Sequence, residues 1–174
     1  MRRFAQLIAR ANLGSGAMMT LTIERTTHAT DDARALIEEL EADLSGDFEP
    51  HQRHGLSLDK IFQPHIAFFI ARVNGKAVGC GGIAFEDGFA ELKRMYVRPH
   101  ARGTGVVQAV IAQLEAEAKA RGVTRLLLET GDVLHAAIRV YERAGFKRCE
   151  AFGDYLALPP NTIERSVFLE KRLA

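Results

Sequence analysis

"VRPHARGTGVVQAVIAQLEAEAKARG", Val97 to Gly122, is the stretch on which the reading of the chain turns. Val106, Val107, Val110, Ile111 and Leu114 form one apolar stripe at helical spacing, and Gly122 is a C-terminal stop, which predicts a helix from about Thr104 to Arg121. No aspartate or glutamate occurs from Leu92 to Leu114, whereas Lys93, Arg94, Arg98 and Arg102 all do. The start of such a helix offers unpaired backbone N–H groups at the positive end of its dipole. Gly103 and Gly105 would let those amides approach a phosphate with no Cβ in the way. The segment reads as a pyrophosphate cradle. It matches neither common glycine motif, since no Gly-Lys-Ser/Thr follows and "GTGVVQ" lacks the third glycine of the dinucleotide fingerprint. On the motif alone, a loop merely shaped by Gly103 and Gly105 stays open.

Upstream of the cradle the pattern is antiparallel. "HIAFFIARV" and "KAVGCGGIAF" are joined by Asn74-Gly75, a hairpin signal, and Glu86 to Gly88 turn the chain into "FAELKRMYV". Downstream it is parallel: the apolar strand "TRLLLET" follows the helix, the βαβ order whose crossover is right-handed. The sheet should therefore change character at "FAELKRMYV", where α/β sheets tend to bind ligands. Before the meander come the strand "TLTIERT" and a helix in "TDDARALIEELEADL", with Thr30 as N-cap and Asp31 and Asp32 in its first turn. "HGLSLDKIFQ" suggests a short helix after Ser57. "LHAAIRVYERAG" is a further helix, "FKRCEAF" a strand, and "ERSVFLEKRL" a last strand after the Pro159-Pro160 loop. The fold class is thus α/β (α+β), a mixed sheet with an antiparallel meander followed by a βαβ half.

The chain's 174 residues, 47% hydrophobic and 26% charged, suit one soluble domain. Residues 1-19 read as a loosely ordered N-terminal extension, with a short helix as the expected structure and Met18 and Met19 as an alternative start; residues 20-174 read as the domain. A net charge of +1 and the absence of aromatics interleaved with the basic residues speak against a nucleic-acid partner. No apolar run approaches the ~20 residues that span a bilayer, so no membrane partner is expected. Cys80 and Cys149 read as free thiols in a reducing cytoplasm, and His51, His54 and His65 lack a metal-ligand pattern, so no metal is expected.

Taken together, "AELKRMYVRPHARGTGVVQAVI", "LLLETG" and "AIRVYERAGF" resemble the GNAT superfamily of acetyl-CoA-dependent N-acetyltransferases over residues 20 to 174. Within it, "LETG", "YERAGFKRCEAFGDY" and "SVFLEKRL" are similar to a bacterial group of YsnE-type acetyltransferases. The resemblance implies strands splayed around a CoA cleft, with acetyl-CoA as cosubstrate. It assigns the pyrophosphate loop to Arg102, Gly103, Thr104, Gly105, Val106 and Val107, the last standing where the family usually has Gly or Ala. It assigns pantetheine pairing to the backbone of Met95, Tyr96 and Val97, with an amide near Val97 or Tyr96 polarising the thioester carbonyl. It makes Glu91 a general base and Tyr141 the acid that protonates the departing thiolate. Leu134 stands where many members carry a CoA-binding asparagine.

The bland alternatives are an exposed Glu91 paired with Lys93 or Arg94 and a core Tyr141. Glu129 and Thr130 would line the acceptor pocket, although Thr130 and Asp132 are also good caps for the next helix. Arg53, His54, Arg94 and Tyr155 suggest an acceptor carrying a carboxylate, such as an amino acid or small amino-acid-like amine, while solvated loop positions are the plainer reading of the histidines. The function expected is acetyl transfer to such an amine by direct attack. A non-catalytic acyl-CoA-binding regulatory module is the alternative, and the edge strand "SVFLEKRL" makes a second copy of the chain a candidate partner.

Overall fold

The computed structural model describes residues 7–11 and 19–174, and its centre is one sheet in the order β1-β2-β3-β4-β5-β6-β8-β7. Strand β1 (Leu7–Ala11) pairs antiparallel with β2 (Met19–Thr26). The helix expected in the N-terminal extension is thus a strand over Leu7–Ala11: an open edge on β2 offers a ladder that an isolated short helix lacks. The other residues of that extension, Met18 included, lie outside the described residues. Strands β3 (Ile66–Val73), β4 (Lys76–Glu86) and β5 (Phe89–Val97) make the predicted meander. Asn74 and Gly75 both have positive φ, 49° and 80°, as the tight hairpin between β3 and β4 requires.

The switch to parallel pairing falls on β5. It pairs with β6 (Arg125–Gly131) at Ala90↔Leu126, Glu91↔Leu127 and Leu92↔Leu128, and beyond Leu92 that pairing ends although both strands continue. The two strands therefore part toward their carboxyl ends. On its other edge β5 carries a bulge: Gly82 pairs Lys93 and Cys80 pairs Tyr96, so Arg94 and Met95 together oppose Gly81. Arg94 takes up the extra residue with a φ of 55°.

Helices cover both faces. Helix α1 (Asp31–Ser45) starts at Thr30, whose hydroxyl accepts from the Ala33 amide at 3.2 Å, and buries Ala33, Leu36, Ile37 and Leu40 against Phe68, Ile70 and Cys80. Burial pushes the Cys80 thiol up to about 12, so this cysteine packs as a small neutral side chain. Helix α2 (Val106–Ala120) lies on the opposite face and buries Val110, Ile111 and Leu114 there. It approaches β4 so closely that a Cβ on Gly81 would stand 2.6 Å from Val110. Helix α3 (His135–Arg143) adds Tyr141 to the same layer.

Other expectations change. Residues 58–63 form turns, with the Lys60 amide on the Ser57 carbonyl at 3.0 Å, and no helix follows Ser57. The Pro159-Pro160 loop contains a single helical turn, α4 (Pro160–Ile163). Strand β8 (Ser166–Arg172) is not the edge: it sits between β6 and β7 (Lys147–Arg148). β7 covers it only at Lys147↔Glu170 and Arg148↔Leu169, far less than the strand expected in "FKRCEAF". The edge-strand argument for a second copy loses its basis there.

Candidate acetyl-transfer cleft

Where β5 and β6 part, a cleft of about 140 Å³ opens between the two helical layers. Strand β5 presents Glu91, Lys93, Arg94 and Met95 to it, β6 presents Glu129 and Thr130, and α3 presents Leu134 and Tyr141. The loop after α1 closes it with Arg53 and His54, and Tyr155 comes from a short turn at Gly153–Ala157. Thus the residues expected for catalysis and for the acceptor, scattered over a hundred positions, line one cavity. A second cavity of about 510 Å³ shares the wall made by Glu91, Lys93 and Tyr155.

That wall is a hydrogen-bonded unit. Tyr155 Oη donates to Glu91 Oε1 at 2.7 Å, and Lys93 Nζ lies 2.8 Å from the same oxygen and 2.9 Å from the phenol. Glu91 is paired with Lys93, as the plainer reading held, but it is buried at 7% exposure. Burial, with the Glu91 charge beside it, pushes the Tyr155 phenol up, so it stays a donor at neutral pH. Phe152 and Phe168 pack edge-on around the Tyr155 ring.

Glu129 is held by Ser166 Oγ, which donates to it at 2.7 Å. Burial raises its pKa, Glu91 adding to this, while the Ser166 hydrogen bond and the His54 and Lys93 charges oppose it. The role of Thr130 and Asp132 as helix caps does not hold: the N-cap of α3 is Leu134, with no side-chain cap bond, and Asp132 instead meets Arg165 at 3.0 Å. Tyr141 is buried, edge-on to Phe146, and burial raises its phenol well above the ordinary range. His54 is not a solvated loop residue; its Nε2 is 2.8 Å from the Thr162 carbonyl and its ring stands edge-on to Tyr155.

The glycine loop follows β5 in the chain; of the residues expected to hold the cosubstrate, Met95 lines this cleft, whereas Tyr96, Val97 and Arg102 to Val107 do not. Pro99–Ala101 form one tight turn, Thr104 Oγ1 donates to the Ala101 carbonyl at 2.7 Å, and α2 begins at Gly105 with a φ of 90° and no side-chain cap. Nothing lies within 4 Å of where a Cβ would stand on Gly103 or Gly105. An uncapped helix start faced by open glycines fits an anion. Val107 does not crowd it, because its side chain packs against the apolar layer beside α2. Lys93, Arg94, Met95, Tyr96 and Val97 are beyond the end of the parallel pairing, and that edge of β5 has no strand partner among the described residues. The Val97 carbonyl already accepts from Arg102 Nε at 2.9 Å.

The basic side chains of the loop point elsewhere. Arg98 forms a fork on Glu39 at 2.7 Å and 3.0 Å, Arg94 is on Glu41, and Arg102 meets Asp43 at 2.9 Å. Glu39, Glu41 and Asp43 are alternate residues of α1. The arginines of the acid-free stretch are therefore neutralised by a helix some fifty to sixty positions earlier.

This architecture has known relatives. Residues 33–146 match the model of the acetyltransferase (GNAT) family. The chain belongs to the GNAT acetyltransferase family. It is 39% identical over 158 residues to a protein of Azospirillum brasilense named IAA acetyltransferase, covering 90% of this chain and all of that one. It is 35% identical over 127 residues to the Bacillus subtilis N-acetyltransferase YsnE, 71% of this chain and 81% of the relative. Among solved structures, a Klebsiella pneumoniae chain assigned as an acyl-CoA N-acyltransferase superposes with a TM-score of 0.70 at 33% identity, covering 88% of this chain and 98% of that one. The PaiA N-acetyltransferase of Thermoplasma acidophilum, solved with coenzyme A, shares the fold at a TM-score of 0.65 and 18% identity, covering 86% and 98%. This GNAT chain is thus an acetyltransferase by family. Among its described residues no group of three or more His, Cys, Asp or Glu is placed to hold a metal ion, and no helix is long and apolar enough to cross a membrane.

Sequence reasoning did not find Glu41, Lys93 as a full member of the Glu91 unit, Ser166 or Gly55. Lys93 could have been read from its spacing, because residues two apart on a strand share a face. Glu41 and Ser166 arrive from distant elements and carry no local signal.

Proposed function

We propose that the protein transfers the acetyl group of acetyl-CoA directly to a small primary amine. The observations that carry this reading are one cleft, opened by the parting of β5 and β6 and lined by Tyr141, Glu91 and Glu129, and the uncapped start of α2 that follows the end of β5 in the chain. Acetyl-CoA supplies an activated acyl group as a thioester. The amides of Gly103 to Val107 would hold its pyrophosphate, and the free edge of β5 at Met95 and Tyr96 its pantetheine arm.

The chemistry balances with residues of this chain. The amine nitrogen attacks the carbonyl carbon, the N–C bond forms, and the C–S bond breaks. The ammonium proton goes to a carboxylate and the thiolate takes the phenol proton of Tyr141. Burial keeps that phenol protonated at neutral pH. Glu91 is proposed as the base, within a unit that Lys93 and Tyr155 hold rigid. Glu129 is a second candidate on a specific observation: burial raises its proton affinity, which suits a base working near neutral pH.

The family name of the relatives supports the acyl donor and says nothing of the acceptor. The test is calorimetry of acetyl-CoA binding followed by thiol release with a panel of small amines. Binding with amine-dependent thiol release is the expected result. Binding without release for any amine would favour a non-catalytic CoA module, and no binding would overturn the reading.

A further inference from the structure

Two guanidinium Nε groups, those of Arg53 and Arg94, are buried without a hydrogen-bond partner, and both arginines line the cleft. A buried donor left unsatisfied bears its whole desolvation cost, so such a pair marks a place where an acceptor belongs. The arrangement around them is built rather than incidental. The bulge in β5 makes Lys93 and Arg94 successive residues on the α1 side, and Arg94 accepts a left-handed φ to be there. Its side chain is 3% exposed and its guanidinium lies against Gly55, where a Cβ would stand 1.5 Å from Nη1. The loop can wrap Arg94 only because residue 55 has no side chain. His54, between Arg53 and Gly55, pins that loop to the Thr162 carbonyl.

The charge leaves room for one anion. Glu41 is shared, accepting from Arg94 Nη2 and lying 3.3 Å from Arg53 Nη1, so two guanidinium charges meet one carboxylate. The next cation, Lys93, is already engaged by Glu91 and Tyr155. A single planar monoanion satisfies both the remaining charge and the fork geometry of guanidinium groups, which a carboxylate does better than a phosphate dianion. Glu91 and Glu129 stand in the same cleft and suit an ammonium.

We propose that the acceptor is an amine carrying a carboxylate, an amino acid or close analogue, whose carboxylate is held by Arg53 and Arg94 while its nitrogen faces Glu91 and Glu129. This rests on the acetyl-transfer reading above and names its substrate class. The nitrogen gains the acetyl group and gives its proton to the carboxylate base, and CoA leaves as the thiol; the substrate's own carboxylate is unchanged.

The test compares the twenty amino acids with their α-amides as acceptors, at saturating acetyl-CoA. The best acid is expected to exceed its amide in kcat/KM by at least about tenfold. In Arg53→Gln and in Arg94→Gln that ratio falls toward one, and Arg53→Lys, which keeps charge but not the fork, lies between. The ratio is internal to each variant, so a partly unfolded preparation of the buried Arg94 variant does not distort it. Equal turnover of acids and amides, or no turnover of any acid by protein that binds acetyl-CoA, overturns this inference and leaves the donor site standing. Failure to bind acetyl-CoA overturns the acetyl-transfer reading, and this one with it.

Discussion

Helices α1 and α2 are each 15 residues long and lie on opposite faces of the sheet, yet they begin in contrasting ways. α1 closes its own start: Thr30 accepts from Ala33, and Asp31 and Asp32 complement the dipole. α2 leaves its start open, entering from a left-handed glycine with neither a side-chain cap nor an acidic residue in its first turn. A helix that satisfies its own donors can serve the core alone. One that does not must give them to water or to a ligand. The acids that α2 lacks are found along α1, at Glu39, Glu41 and Asp43, where they pair with the arginines of the β5 strand and the loop.

The sharpest way to break this contrast is to close α2. Gly105→Glu places a side chain on a backbone with a φ of 90° and a negative charge where the phosphate would sit. Acetyl-CoA affinity measured by calorimetry is expected to fall by roughly a hundredfold or more, since both strain and repulsion act at the binding loop. A variant that binds as wild type would show that α2 is not the anion site. Next in size is Tyr141→Phe, which removes the proposed proton donor and keeps the ring that packs on Phe146. Its kcat should drop by about 10²-fold or more with acetyl-CoA binding retained; an unaltered kcat would assign Tyr141 to the core.

Closing α1 less well should affect stability alone. Thr30→Ala removes the cap bond and is expected to cost about 1 kcal/mol, a drop of roughly 2–4 °C in melting temperature, with kcat/KM intact. A change in kcat/KM would mean that the two helix starts are coupled. The smallest effects separate the carboxylates by sign. The hydrogen bond from Arg98 lowers the pKa of Glu39, so this group stabilises the fold above its unfolded value of about 4.3, and the gain is lost as pH falls through the lowered value. Glu39→Gln should therefore melt earlier at pH 7, by no more than about 1 kcal/mol for so exposed a pair, and match wild type in acid. Glu129 is raised by burial, so its ionisation costs stability above the unfolded value and nothing where both states are protonated. Glu129→Gln should melt later at pH 7 and not in acid; a shift in the opposite direction would remove the case for Glu129 as a second base.

Much of the fold was legible because it follows local periods. Asn74-Gly75 announced its hairpin through two positive φ angles, Thr30 its cap, and the change from alternation to an apolar crossover the switch at β5. What was missed involves partners far apart in sequence. β1 was misread because five apolar-rich residues do not say which edge they will join, and β8 because the short β7 that covers it gives too weak a signal to place. At the site, the residue types and their strands could be read, but not their state. Glu91 was legible as a strand carboxylate, whereas its burial and its bond from Tyr155 were not.

By itself, then, the sequence determined the order of elements, the open glycine start of α2, and the family the chain belongs to, because each depends on residues near one another. Tertiary structure alone decided where the charges go. Arg94 and Arg98 are matched by acids fifty to sixty positions away, two Nε groups are left over in the cleft, and burial raises the proton affinities of Glu129 and of the Tyr141 and Tyr155 phenols. Coulomb energy and desolvation depend on distance and burial in the folded chain, and neither is carried by any single stretch of it.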